Sequence, residues 1–235
     1  MLRCNNIGFQ YNNKQGIFDL SLSLDSPGLT ALIGRNGAGK TTLLDLICGR
    51  KVPAAGTISV NGKTIDPERD VGWKRQLGFC PSGQLFAGML SVRENYEMIS
   101  WLRCGSKKEW QKIRPQLELF GCGKYLDQPS QELSAGQLRR AMILSVLIGS
   151  PKLVILDEPG NDLDIEGIYL LRQLLATLTA EHIVLVSTNI LDVIRESPAR
   201  AVFLEGGRLV HDSLEQKLQA DALEKLYRDI IWLKK

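Results

Sequence analysis

The chain has 235 residues, 44% of them hydrophobic and 23% charged, with a net charge of +3. That is enough for one large domain, or one domain with an embedded subdomain, of ordinary globular composition. The small charge, with no basic stripe or interleaved aromatics, leaves no nucleic-acid footprint. The scattered Cys4, Cys48, Cys80, Cys104 and Cys122 form no Cys-x-x-Cys pair, so reduced thiols in a cytosolic protein are expected, and no zinc site. The opening residues, Met1 to Asn6, lack the apolar run of an export signal. The longest apolar stretch, near 141–149, is too short to cross a bilayer.

In chain order, strands are predicted at 20–24 and 29–33. The second runs directly into GRNGAGKTT, Gly34 to Thr42, and a helical pattern follows over 40–48. This is G-x-x-x-x-G-K-[ST] in the context it requires, strand then loop then helix. Its glycines let the backbone wrap a phosphate through the N–H groups of Asn36, Gly37, Ala38, Gly39 and the residues after them. The helix start adds the positive end of its dipole. Lys40 is placed to reach the β- and γ-phosphates and Thr41 to put its hydroxyl on Mg²⁺, with Thr42 next to it among the residues expected to bind the nucleotide.

Further strands are predicted at 57–60 and 77–80, and several of the early strands alternate among Gly and Pro turns, which suits an antiparallel layer. Helices are predicted at 92–102, 107–120 and 135–148. Strand signal is almost absent from about 83 to 150, so these residues read as a helical insertion. The last of these helices begins in ELSAGQLRRA. There Ser134 and Gln137 form a capping-box pattern, and the small residues Ala135 and Gly136 expose amides that suit an anion.

The apolar strand 153–156 lies in LVILDEP and delivers Asp157 to the sheet edge, where it can hold a metal through water. Glu158 can orient and deprotonate an attacking water. A helix over 166–178, strands at 183–186 and 201–204, and a last helix over 221–233 complete the pattern. That last helix has apolar Leu223, Leu226, Ile230 and Leu233. The expected fold is α/β: a P-loop NTPase core with a mixed sheet, an N-terminal antiparallel β layer and an inserted α-helical subdomain. One domain spans 1–235, with the insertion at 83–150 and a C-terminal tail with a helix at 208–235.

A P-loop, then Leu-Ser-Ala-Gly-Gln, then LVILDEP about twenty residues later resembles the ATP-binding subunits of ABC transporters, from about Tyr11 to Gly207. The resemblance implies a D-loop at Asn161 to Asp164, which adds Asp164 to the nucleotide site. FLEGGRLVHDS, Phe203 to Ser213, resembles the hairpin that closes the family's core. Tyr11 falls where the family stacks an aromatic ring on adenine, or else it packs locally. The implied mechanism pairs two subunits head to tail. Each ATP is then held between the P-loop of one and Ser134–Gln137 of the other, so nucleotide acts as glue until hydrolysis releases it.

Three positions depart from the family pattern. Ala135 replaces the first Gly of Leu-Ser-Gly-Gly-Gln, a mild change. The family's Q-loop Gln falls on Ser82, so either Ser82 reaches Mg²⁺ more weakly or Gln84, two residues on, serves instead. The family's Ser/Thr-x-His ends here on Asn189, which can donate an N–H but cannot shuttle a proton. Losing one preorganised donor of this kind costs roughly 3–4 kcal/mol of transition-state stabilisation. ATP binding and closure are therefore expected to survive with slow turnover, unless water or a partner residue fills the gap.

The resemblance implies a separate transmembrane permease and a second ATP-binding subunit, in a homo- or heterodimer, on the cytoplasmic face of the membrane. In the insertion, Phe86, Tyr96 and Trp101 line a permease groove or pack their own core. The tail DALEKLYRDI resembles that of ABC-2-type exporters, which makes export the expected direction. A GTPase would show Asn-Lys-x-Asp, and a chromosome-type ATPase a coiled coil before Asp157; neither is present in the sequence. An ATP-gated module that closes but barely hydrolyses stands as the non-enzymatic alternative.

Overall fold

Period-two alternation along the central strands creates two cores at once. Val154 and Leu156 of the strand Leu153–Asp157, with Val184 and Val186 of the strand Ile183–Thr188, face one core, while Leu153, Ile155, Ile183 and Leu185 face the other. The structure, a computed structural model, describes residues 1–232 apart from 13, 71, 196, 198 and 215–217.

The elements in order are β1 (Leu2–Gln10), β2 (Gly16–Leu24), β3 (Gly28–Ile33), α1 (Lys40–Ile47), β4 (Ala55–Val60), β5 (Lys63–Thr64), β6 (Leu77–Cys80) and α2 (Val92–Cys104). There follow α3 (Arg114–Leu119), α4 (Ala135–Ser145), β7 (Leu153–Asp157), α5 (Ile165–Leu178), β8 (Ile183–Thr188), β9 (Ala199–Glu205), β10 (Arg208–Asp212) and α6 (Ala220–Tyr227). An antiparallel four-stranded sheet has the order β2-β1-β4-β5. A six-stranded sheet has the order β10-β9-β3-β8-β7-β6, parallel except for the β9–β10 hairpin. The fold is thus the expected α/β architecture with a mixed sheet and an antiparallel layer.

The register decides where chemistry can occur. Ile33 pairs with Thr188 and Asp157 with Ser187, so the chain leaves β3, β7 and β8 at one level. Gly34, Glu158 and Asn189 emerge together at the carboxyl edge, where open α/β sheets bind ligands. The β9–β10 hairpin turns on Gly206 and Gly207, both with positive φ (53° and 76°), as its two-residue loop requires.

Several sequence expectations need correction. Strand β1 was not anticipated, because bulges between Cys4 and Ile7 and between Ile7 and Phe9 interrupt its alternation. The single helix expected over 107–120 is instead a 3₁₀ turn, Glu109–Ile113, followed by α3. Pro115, in the first turn of α3, lacks the N–H that a continuous helix needs. The last helix passes from α6 into a π turn, Arg228–Trp232, with Leu223 buried and Leu226 and Ile230 packed on the core; Leu233 lies outside the described residues.

Phe86 and Tyr96 do not line a surface groove. They are 3% and 0% exposed, stacked edge to face at 5.7 Å, with Tyr96 donating to the Ala141 carbonyl at 3.0 Å. Of these three aromatics, Trp101 is the one available to a partner, 57% exposed and one position from the exposed Leu102. No helix among the described residues is long and apolar enough to cross a membrane. The cysteines are all free, Cys104 alone being exposed.

Candidate active site

The loop between β3 and α1 is bent by Gly37 and Gly39, whose φ values of 80° and 103° suit only glycine. At Gly34 a side chain would strike the Leu204 carbonyl at 2.5 Å. Helix α1 then starts without a side-chain cap and without an acidic residue in its first turn. By contrast Ser91, Ser134 and Asp164 cap α2, α4 and α5. The first-turn amides of α1 therefore have no acceptor within the helix and face a hollow that suits an anion.

That hollow has a volume of about 380 Å³ and is lined by Tyr11, Asn36, Gly37, Ala38, Gly39, Lys40, Thr41, Thr42, Ser82, Glu158, Asn161 and Asn189, among others. Lys40 is 6% exposed. Its ammonium donates to the carbonyls of Gly34 (2.7 Å) and Arg35 (3.3 Å) and lies 3.0 Å from Glu158 Oε1. Asp157 is fully buried; its Oδ2 accepts from Thr41 Oγ1 at 2.9 Å and its Oδ1 from the Ser187 hydroxyl. A hydroxyl and a carboxylate oxygen converging beside a phosphate cradle are hard ligands of the kind Mg²⁺ takes, usually with substrate phosphates completing its shell.

Glu158 itself has φ 47°, held by its amide donating to the Ser187 carbonyl and hydroxyl, both at 3.0 Å. Its Oε2 accepts from the Asn189 backbone N–H at 3.2 Å. The Asn189 side chain donates to Asn36 Oδ1 at 3.2 Å, which ties it to the phosphate loop. Tyr11 stands at the mouth, its hydroxyl 3.3 Å from Thr42 Oγ1, packed edge to face on Phe9.

Of the two Q-loop alternatives, the structure brings Ser82 to the hollow and turns Gln84 away. The Gln84 amide donates to the Phe86 carbonyl at 3.0 Å within its own loop. Asp164 also lies apart from the cradle. It caps α5 by accepting from Gly167 N at 2.8 Å and pairs with Arg140 at 2.8 Å. The Gly167 amide, with Arg140 beside it, holds the Asp164 carboxyl below the usual carboxylate range.

The start of α4 forms a second, separate hollow of about 680 Å³, bordered by Ser134, Gly136, Gln137, Arg140, Asp162 and Asp164, among others. Ser134, Ala135 and Gln137 are exposed. The side-chain hydrogen bonds of Ser134 and Gln137 here are those of their own capping box: Gln137 N to Ser134 Oγ at 3.3 Å and Ser134 N to Gln137 Oε1 at 3.0 Å. A Cβ at Gly136 would lie 3.0 Å from the Asp162 carbonyl.

Sequence reasoning missed Ser187, the place of the D-loop Asn161 in the cradle and, most consequentially, Arg139. The signal for Arg139 was available. It shares a helical stripe with Met142 and Ile143, so its spacing marks a buried face; the side chain is 3% exposed.

Comparison with known proteins agrees with this geometry. Residues 17–161 match the family model described as ABC transporter. The chain is 32% identical over 215 residues to the energy-coupling factor transporter ATP-binding protein EcfA2 of Ligilactobacillus salivarius, covering 86% of this chain and 73% of that one. It is 30% identical over 217 residues to the mouse ABC-type organic anion transporter ABCA8B, covering 88% of this chain and 13% of that protein. The chain thus spans about an eighth of the length of that larger relative. A solved ATP-binding subunit of an ABC transporter superposes with a TM-score of 0.82 at 25% identity, over 97% of this chain and 93% of that one.

Proposed function

The chain belongs to the ABC transporter family as an ATP-binding cassette, an ABC-type ATPase domain, and on that premise we propose that it drives a membrane transporter by nucleotide-dependent closure with a second cassette. The observation that carries this reading is the division of one composite site between two faces. The phosphate cradle and both carboxylates lie together, while the signature turn at Ser134 is exposed and borders a hollow that shares no residue with the cradle.

An arriving triphosphate would take the first-turn amides of α1 and draw the Lys40 ammonium from Glu158 to its own oxygens. That exchange leaves Glu158 Oε1 open while Asn189 N–H still aims the carboxylate through Oε2. Glu158 is then the base that takes the proton of the attacking water, and the Asn189 side chain is the neutral donor where the family has histidine, so turnover is slow. Thr41, Asp157 and Ser82 would hold Mg²⁺, which would neutralise charge on the β- and γ-phosphate oxygens. Tyr11 would stack on the adenine. Asp164, beside Ser134, would border the nucleotide carried by the partner cassette.

Residues 83–150 form the permease-facing subdomain in this reading, with Trp101 and Leu102 at the contact, and residues 208–235 form its C-terminal tail. The permease is a separate polypeptide, the chain is peripheral on the cytoplasmic face, and the tail favours export. Light scattering on Glu158→Gln with and without Mg-ATP tests the core of the proposal: mass should double with nucleotide. A monomer that shows no nucleotide binding would overturn it.

A further inference from the structure

Arg139 is a buried cation with no carboxylate within 4.0 Å among the described residues. Its guanidinium is instead spent on the main chain. Nη2 donates to the carbonyls of Asp157 (2.6 Å) and Glu158 (2.8 Å), and Nε reaches that of Pro159 at 3.5 Å. Nη1 donates to the Pro81 carbonyl at 2.6 Å and touches Cys80 Sγ at 3.6 Å. Burying a charge this way is costly unless every donor is used, and here the planar fork fits a fan of carbonyl oxygens that an ammonium could not match.

The carbonyls come from two places. Residues 157–159 form the turn in which Glu158 takes φ 47°, a conformation that an L-residue keeps only when its surroundings impose it. Their three oxygens converge on one side of the chain, and the guanidinium sits at that point. Pro81 immediately precedes Ser82, at the cradle's rim. Arg139 itself rides on α4, five residues after Ser134, the exposed N-cap of the same helix. One rigid helix therefore carries the signature turn at its tip and, on its inner face, the clamp on the turn that aims Glu158.

We propose that Arg139 is a positioning residue for hydrolysis: it fixes the Glu158 turn and the Pro81–Ser82 corner to helix α4, so that engagement of the Ser134 end sets the aim of the carboxylate. This rests on the reading of Glu158 as the base. Arg139 is not among the residues that line the cradle and meets Glu158 through its main-chain carbonyl, so its effect belongs in kcat and not in nucleotide affinity.

The molecule supplies a matched control. Arg103, on α2, clamps the opposite end of β6 by the same means, donating to the carbonyls of Leu77, Val146 (3.0 Å) and Ile148 (2.7 Å). It is a carbonyl-bound arginine that reaches neither carboxylate. The experiment measures kcat and KM for Mg-ATP, with melting temperature, for the wild type, Arg139→Lys, Arg139→Gln and Arg103→Lys. Arg139→Lys should lower kcat on the order of 10–100-fold, the cost of a misaligned reacting group, at unchanged KM. Arg103→Lys should lower the melting temperature and leave kcat unchanged.

Wild-type kcat in Arg139→Lys overturns the inference and leaves the base assignment standing. So does a loss of kcat that Arg103→Lys shares in proportion to its loss of stability. If neither Arg139 variant folds, the guanidinium is a stability clamp and the inference is likewise overturned. A wild-type chain that binds Mg-ATP without hydrolysing it removes the role of Glu158 and this inference together.

Discussion

The cradle around Lys40 and the signature turn at Ser134 are both helix starts suited to anions, yet they are finished to different degrees. In the cradle Lys40 and both carboxylates already have partners: Lys40 lies on Glu158, and Asp157 accepts from the Thr41 hydroxyl. The start of α1 is nevertheless uncapped. At the signature turn the helix is fully capped by its own side chains and the surface is exposed. A helix start that lacks a cap needs a ligand to satisfy its amides. A capped one is stable alone and can wait for a partner. In the proposed reading the first region takes nucleotide within a single copy, and the second recognises nucleotide that another copy presents.

Substitutions can break this contrast from either side. The largest effect is expected from Glu158→Gln: steady-state hydrolysis should fall roughly 10²–10⁴-fold, the range of general-base catalysis, while Mg-ATP affinity is retained. Retained hydrolysis would move the base elsewhere. Next, Lys40→Ala should weaken Mg-ATP binding about 10–100-fold, the worth of charge-assisted hydrogen bonds, as titration calorimetry on the single copy would read. An unchanged affinity would mean that the cradle is not the nucleotide site.

Asn189→His should raise turnover, by up to about 10²-fold if the missing donor is the bottleneck; an equal rate would assign the slow step elsewhere. On the other side of the contrast, Ser134→Asp keeps an N-cap residue of equal quality but sets a negative charge against the partner's triphosphate. Single-copy affinity and melting temperature should hold, while nucleotide-dependent dimers disappear in light scattering. Dimers that persist would dissociate the signature turn from closure.

The smallest effect concerns the cap of α5. The Asp164 carboxyl is held below its ordinary value of 3.8 by the Gly167 amide and Arg140. A lowered folded-state pKa stabilises above the unfolded value, and the benefit is lost as pH falls through the folded one. The melting-temperature gap between wild type and Asp164→Asn should therefore be constant near neutrality and close as pH drops below about 4. A gap that does not change with pH would show that the carboxylate charge is immaterial.

Much of the cradle was legible because its chemistry is local. Gly34, Gly37, Gly39, Lys40 and Thr41 sit within eight positions on one turn, and Asp157 and Glu158 end one apolar strand. Phe86, Tyr96 and Gln84 were harder. A side chain on an amphipathic segment faces a partner or its own core with the same spacing, and only packing against Trp110 and Ala141 decided for the core. The β1 strand was hidden by its bulges, and the break before Pro115 was visible but outweighed by the apolar period around it.

By itself the sequence determined the order of the central strands and helices, the phosphate loop and the identity of the two carboxylates, since these depend on periodicity and on residues adjacent in the chain. Tertiary structure alone decided that Ser82 and not Gln84 meets the cradle, that Asn189 bonds Asn36 across 153 residues, and that Arg139 clamps the turn of Glu158. Each of those outcomes rests on sheet register and on one helix packing against two strand ends. Such distances between non-neighbours are not encoded in any local pattern.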